Sequence, residues 1–121
     1  MAGALTYSYV SYVQVSNKIL ITADVYGPTS YVPATGQAIN ASDLGVGGFE
    51  FPDATADTTA KFAGQSILNL AGIGNAVQSY QLHWISLVTA TVGGQAQTGG
   101  LDAASGTNLS TFTLRIQVFC V

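Results

Sequence analysis

The chain has 121 residues, of which 48% are hydrophobic and only 7% charged, with a net charge of −3. That length suits one domain with a sizeable core, so residues 1–121 are expected to fold as a single unit. Three bases, Lys18, Lys61 and Arg115, are too few and too scattered to neutralise a phosphate backbone or to dock on an anionic bilayer, which argues against nucleic-acid and membrane partners.

Soluble domains usually carry about 25% charged residues. A surface this poor in charge is covered by something or kept wet by neutral polar groups. No run approaches the roughly 18 apolar residues of a spanning helix. The start, Met1 to Tyr7, lacks the basic and continuous apolar regions of a signal peptide. One cysteine, Cys120, rules out an intrachain disulfide and is expected to be a small buried hydrophobe.

In chain order, Tyr7 to Val15 is a strand rich in Tyr and Val. Strict alternation puts Tyr7, Tyr9, Val13 and Val15 on one face and Val10 and Tyr12 on the other, so the strand is either central or part of an interface. Ser16-Asn17 suits a two-residue hairpin. It leads into a second strand, Lys18 to Tyr26, in which Ile19, Ile21, Ala23 and Val25 alternate with the opposite face, and Gly27-Pro28 ends it. Ser42-Asp43-Leu44-Gly45 is the one candidate helical turn, capped by Asn40 or Ser42 and stopped by Gly45. A short strand, Gly47 to Phe51, ends at Pro52, and Ile67 to Ala71 is a further strand or a loop edge.

Tyr80 to Val92 is a fourth long strand, apolar on both faces: Tyr80, Leu82, Trp84 and Val88 against Ile85 and Leu87. Ala54 to Ala60, Ala63 to Val77 and Gly93 to Gly106 are low in charge and rich in small residues, and suit ordered loops or short edge strands. In the final strand, Phe112, Leu114, Ile116, Val118 and Cys120 alternate with Thr111, Thr113, Arg115 and Gln117. Many short strands with Gly-rich connections predict an all-β fold, an antiparallel β-sandwich or small barrel.

The residues offer little chemistry. His83 is the only histidine and no G-x-S-x-G elbow accompanies it, so it is expected to be packed rather than catalytic. One His and one Cys cannot build a zinc tetrad. Asp53, Asp57 and Glu50 lack calcium-loop spacing and suit a solvated acidic loop. The tract Gly93 to Gly100 has no G-x-G-x-x-G and no Walker lysine. No catalytic residue, cofactor or metal is therefore expected. The aromatics Tyr7, Tyr9, Tyr12, Tyr26, Tyr31 and Trp84 suit subunit packing or stacking on sugars.

Three stretches resemble the head decoration, or capsid-cement, proteins of phages. Val13 to Tyr26 (VQVSNKILITADVY) resembles that family's opening hairpin around "GNK", with Ser16 in place of the Gly. Gly36 to Gly45 (GQAINASDLG) is similar to its "G-x-x-L-T-A-x-D-L-G" turn. Ser105 to Arg115 (SGTNLSTFTLR) resembles the closing "N-G-T-D-L-S-x-x-T-V-R". Phe51 to Gly99 shows no such match. The resemblance implies a jelly-roll-like β-sandwich without enzymatic activity. It would bind the outer surface of an icosahedral capsid as an oligomer, often a homotrimer. The implied partners are the major capsid protein and further copies of the chain, and the implied location is the virion head. Obligate interfaces are large and apolar, so Tyr7, Tyr9, Tyr12 and Trp84, on the two doubly apolar strands, are the expected interface residues. The alternative is a carbohydrate-binding head-fibre or tail adhesin module.

Overall fold

The computed structural model describes residues 7–16, 18–54, 56–57, 59–67 and 78–120. Its order is β1 (Tyr7–Val15), β2 (Lys18–Tyr26), β3 (Gln37–Asn40), a 3-10 turn η1 (Ala41–Leu44), β4 (Phe49–Ala54), β5 (Phe62–Ile67), β6 (Ser79–Ser86), β7 (Thr91–Val92), β8 (Gln95–Ala96) and β9 (Thr113–Cys120). The all-β expectation holds. One sheet has the order β1-β2-β9-β4 and a second β3-β6-β5, and β7-β8 is a separate hairpin. Every described pairing between these strands is antiparallel.

The period-two pattern explains how the sheets meet. Ile21, Ala23 and Val25 of β2, Leu114, Ile116, Val118 and Cys120 of β9, and Phe49 of β4 form one buried face. Ile39, Tyr80, Leu82, Trp84 and Phe62 form the facing one, and all belong to a single hydrophobic cluster. Phe49 and Tyr80 meet edge-on across the sheets with ring centres 5.1 Å apart. Where the layers come closest there is no room for a side chain. A Cβ on Gly64 would lie 2.6 Å from Ala54 Cβ and 3.0 Å from Leu114 Cδ1. The chain passes from one sheet to the other through an Ala56–Ala63 bridge.

Several expectations need correction. The long strand Tyr80 to Val92 ends at Ser86. There the hydroxyl donates to Val88 O at 2.6 Å and accepts from Val88 N at 3.3 Å, a local bond that competes with the ladder. The turn η1 starts one residue earlier than expected, and Asn40 makes no side-chain cap; its amide donates to Asp43 Oδ2 at 3.3 Å instead. Gly45 does stop the turn, in the left-handed region at φ 72°. The Gly93-Gly94 pair, with φ 64° and 83°, turns the β7-β8 hairpin, as a two-residue connection with both φ positive should. Of the possible strand Ile67 to Ala71, Ile67 closes β5 and the rest lies outside the described residues.

Gly27 ends β2 against the loop that precedes β9. A Cβ there would lie 2.3 Å from Leu109 Cβ and 2.6 Å from Leu109 O, and backbone cannot move aside cheaply. Gly27→Ala is expected to destabilise the fold by ~1–3 kcal/mol, read as a fall in melting temperature of several degrees. An unchanged melting temperature would show that the approach of Gly27 to Leu109 is looser than described.

Candidate functional site

Two places concentrate the residues singled out by sequence. The first is β1. It is the terminal strand of its sheet, and its register with β2 slips once: Tyr9 pairs with Ala23, but Ser11 pairs with Thr22. Val10 is the extra residue of a β-bulge, which reverses the alternation beyond it. Tyr12 therefore stands opposite Ile21, on the core-facing side, and not opposite Tyr9 as strict alternation predicts. Tyr7, Tyr9 and Tyr12 line one face as an edge-on ladder, with ring centres 5.1 and 6.2 Å apart.

This ladder overhangs the core because the second sheet is narrower, three strands against four. The part of the facing layer that reaches it is η1: the Tyr9 hydroxyl donates to Leu44 O. Tyr9 and Tyr12 remain 45% and 55% exposed, and Val10 and Val13 46% and 47%. No charged residue lies between Tyr7 and Ser16. The nearest charges sit on β2. Asp24, opposite Ser8, accepts from Arg115 Nε at 2.9 Å and Nη2 at 3.3 Å.

Trp84, the fourth expected interface residue, is not on this surface. It is fully buried in the core, with its indole N–H donating to Gln37 Oε1 at 2.9 Å. Strand β6 lies between β3 and β5, and Trp84 shares its core-facing side with Tyr80 and Leu82. Tyr31 is buried as well, which removes it from the aromatics available for stacking.

The second place surrounds His83. Its Nδ1 lies 2.9 Å from Asp102 Oδ1, and the Tyr31 hydroxyl donates to the same oxygen at 2.7 Å while accepting from Trp84 N at 3.0 Å. Asp102, unremarkable in sequence, is thus the carboxylate partner of the histidine. The other ring nitrogen, Nε2, is buried with no hydrogen-bond partner among the described residues. It faces Gly36, where a Cβ would come within 3.1 Å of it and 2.9 Å of Leu82 O. Among the described residues no hydroxyl nucleophile bonds to Nε2. What the cluster does is brace the loop carrying Tyr31 and the loop carrying Asp102 against β6.

The acidic loop is also tied inward. Asp57 is buried: Oδ1 accepts from Thr59 N at 2.6 Å and Thr59 Oγ1 at 2.5 Å, and Oδ2 from Phe62 N at 2.6 Å. It is a turn-capping residue rather than a solvated one. Among the described residues no three metal-ligating side chains come together. Beside η1 an open hollow of about 510 Å³ is lined by Asn40, Ala41, Ser42, Val46, Gly47, Gln78 and Ser79.

Tyr31→Phe removes a buried hydroxyl that serves two partners. It is expected to cost ~1–3 kcal/mol, measured by denaturant unfolding, and a neutral result would refute the bracing role. Burial pushes the Tyr9 phenol up to about 12, with Tyr7 adding to it. Tyr31 is raised by burial and by Asp102, and Tyr80 by burial. A phenol that ionises later in the folded state than in the unfolded one stabilises below its unfolded value, near 10. Stability should therefore hold up to about pH 10 and fall between pH 10 and 12. Tyrosine absorbance followed against pH is expected to show phenols ionising only as the fold is lost; complete ionisation near pH 10 with the fold intact would contradict this.

No protein-family model matches the chain, and no curated protein and no solved structure is significantly similar to it; what it does has to be read from the chemistry of β1.

Proposed function

We propose that the chain is a non-enzymatic structural subunit of a phage virion. In this reading it is a jelly-roll-like sandwich that binds the outer surface of the capsid, associates with further copies of itself and stabilises the assembled shell. The observation that carries the proposal is the β1 overhang. Three tyrosines and three valines occupy a strand without charge, and two of the rings are half exposed. Tyr is enriched at interfaces because its ring buries a large area at low entropic cost and its hydroxyl still finds a partner. The family resemblance of residues 13–26, 36–45 and 105–115 supplies the kinds of partner, the major capsid protein and further copies of the chain. The mechanism is mass action: a subunit that binds only the assembled shell stabilises that state.

A second reading, carbohydrate binding, is favoured by one specific arrangement. The turn η1 borders both the exposed Tyr9 ring and the hollow lined by neutral Asn40, Ser42, Gln78 and Ser79, and stacking beside neutral hydrogen-bonding groups is what a sugar needs.

Co-sedimentation with shells of the encoding phage separates the two. Wild-type protein is expected to pellet with shells in stoichiometric copies, and Tyr12→Ser, at a half-exposed position, to weaken that at least tenfold with an unchanged melting temperature. Failure of the wild type to pellet, together with a hit on a glycan array, would establish the second reading.

A further inference from the structure

The overhang leaves more than side chains available. Among the described residues β1 is the last strand of its sheet, and it presents a nine-residue edge of backbone N–H and C=O groups, about 30 Å long at the usual rise. Proteins guard such edges with charges, prolines, short length or bulges. Here the bulge at Val10 is the one guard present: the strand is long and has no charge and no proline.

The other sheet edges are poorer templates. The outer side of β4 leads into the Ala56–Ala63 bridge to β5, and β4 contains Pro52. Strand β3 has four residues and β5 six, with Ala63 of β5 already taken by that bridge. A head-to-tail ring, which needs two different matching edges, therefore has no second edge of comparable length among the described residues. A two-fold contact needs only β1 itself.

We infer that β1 pairs antiparallel with β1 of a second copy, extending the four-stranded sheet into one of eight strands. This rests on the reading above that β1 is an association surface, and names the copy as the partner of its backbone edge. Charge favours the arrangement. A chain of net charge −3 meets itself with least repulsion along an uncharged strand, and the nearest acid, Asp24, is already paired with Arg115. Antiparallel alignment sends the two Lys18 side chains to opposite ends. Parallel alignment would set them side by side, three strand spacings or about 14 Å apart. Symmetry favours it too. A two-fold axis perpendicular to the sheet keeps both tyrosine ladders on one side, so three rings from each copy form one continuous aromatic face. A parallel two-fold pair would put them on opposite sides.

Sedimentation of the full chain and cysteine crosslinking test this. Wild-type protein at tens of micromolar is expected at twice the chain mass, and Val13→Lys, at an exposed position, at the single mass. Because Cys120 is buried, an introduced cysteine reports alone. Disulfides need Cα atoms within about 7 Å, so Ser11→Cys, at the middle of the strand, should crosslink to its copy while Ser8→Cys, near its end, should not. The crosslinking arm decides the matter if Val13→Lys fails to fold. A monomeric wild type, a trimer that Val13→Lys leaves intact, or equal crosslinking at Ser8 and Ser11 would overturn the pairing. A monomer that still decorates shells would refute this inference and leave the function standing. A dimer that ignores shells would do the reverse.

Discussion

The burial of β9 between β2 and β4 is the interaction on which the rest depends. It joins the two ends of the chain through an uninterrupted register from Ile19–Cys120 to Tyr26–Thr113 and puts Leu114, Ile116, Val118 and Cys120 at the centre of the core. With β9 in the middle, β2 is saturated on both sides and β1 is pushed to the outside. The opposing sheet, three strands wide, cannot cover a fourth strand. The exposed tyrosine ladder is thus a consequence of unequal sheet widths, and the Val10 bulge decides which rings it contains.

The scarcity of charge has a second cause inside the loops. Buried neutral side chains do there what ion pairs do elsewhere. Gln97 donates to Val92 O, Gln95 O and Thr107 Oγ1 and accepts from Ala104 N, while Thr107 donates to Ala104 O. Each satisfies backbone groups that would be costly to bury unpaired. Tyr31, His83 and Asp102 anchor two further loops to β6. Neutral polar loops thus surround one uncharged aromatic strand, and the remaining exposed large hydrophobics, such as Val32, Leu87 and Leu101, are not gathered on one strand.

Much of this was legible in the residues. Strict alternation in Lys18–Tyr26 and Thr111–Cys120 marked the two strands that dominate the core, the second beginning two residues later, at Thr113, and a two-residue connection marked the hairpin between β1 and β2. The double apolarity of Tyr7–Val15 marked an unusual surface. What alternation cannot show is a bulge, because an extra residue leaves no compositional trace, and so Tyr12 was expected on the wrong face. It also cannot distinguish a strand covered by a neighbouring subunit from one covered by its own loops. Trp84 fell to a like ambiguity: it lies on the side of β6 that meets the chain's own opposing sheet, in one cluster with Leu82 and Leu114, while the chain around Leu101 and Asp102 pairs with the edge of β6 through Ser86 N to Leu101 O and the Ile85–Asp102 bridge. The pairing of His83 with Asp102 joins residues 19 apart through a loop, and no local pattern announces it.

The central claim is that β1 is the surface by which this protein associates. Amide hydrogen exchange resolved along residues 7–15, compared between dilute protein and protein assembled on shells, tests it most directly. The account predicts that β1 amides exchange rapidly in the dilute state and become strongly protected on assembly, while β9, already buried, changes little. Unchanged rapid exchange along β1, with new protection confined to another surface, would contradict it.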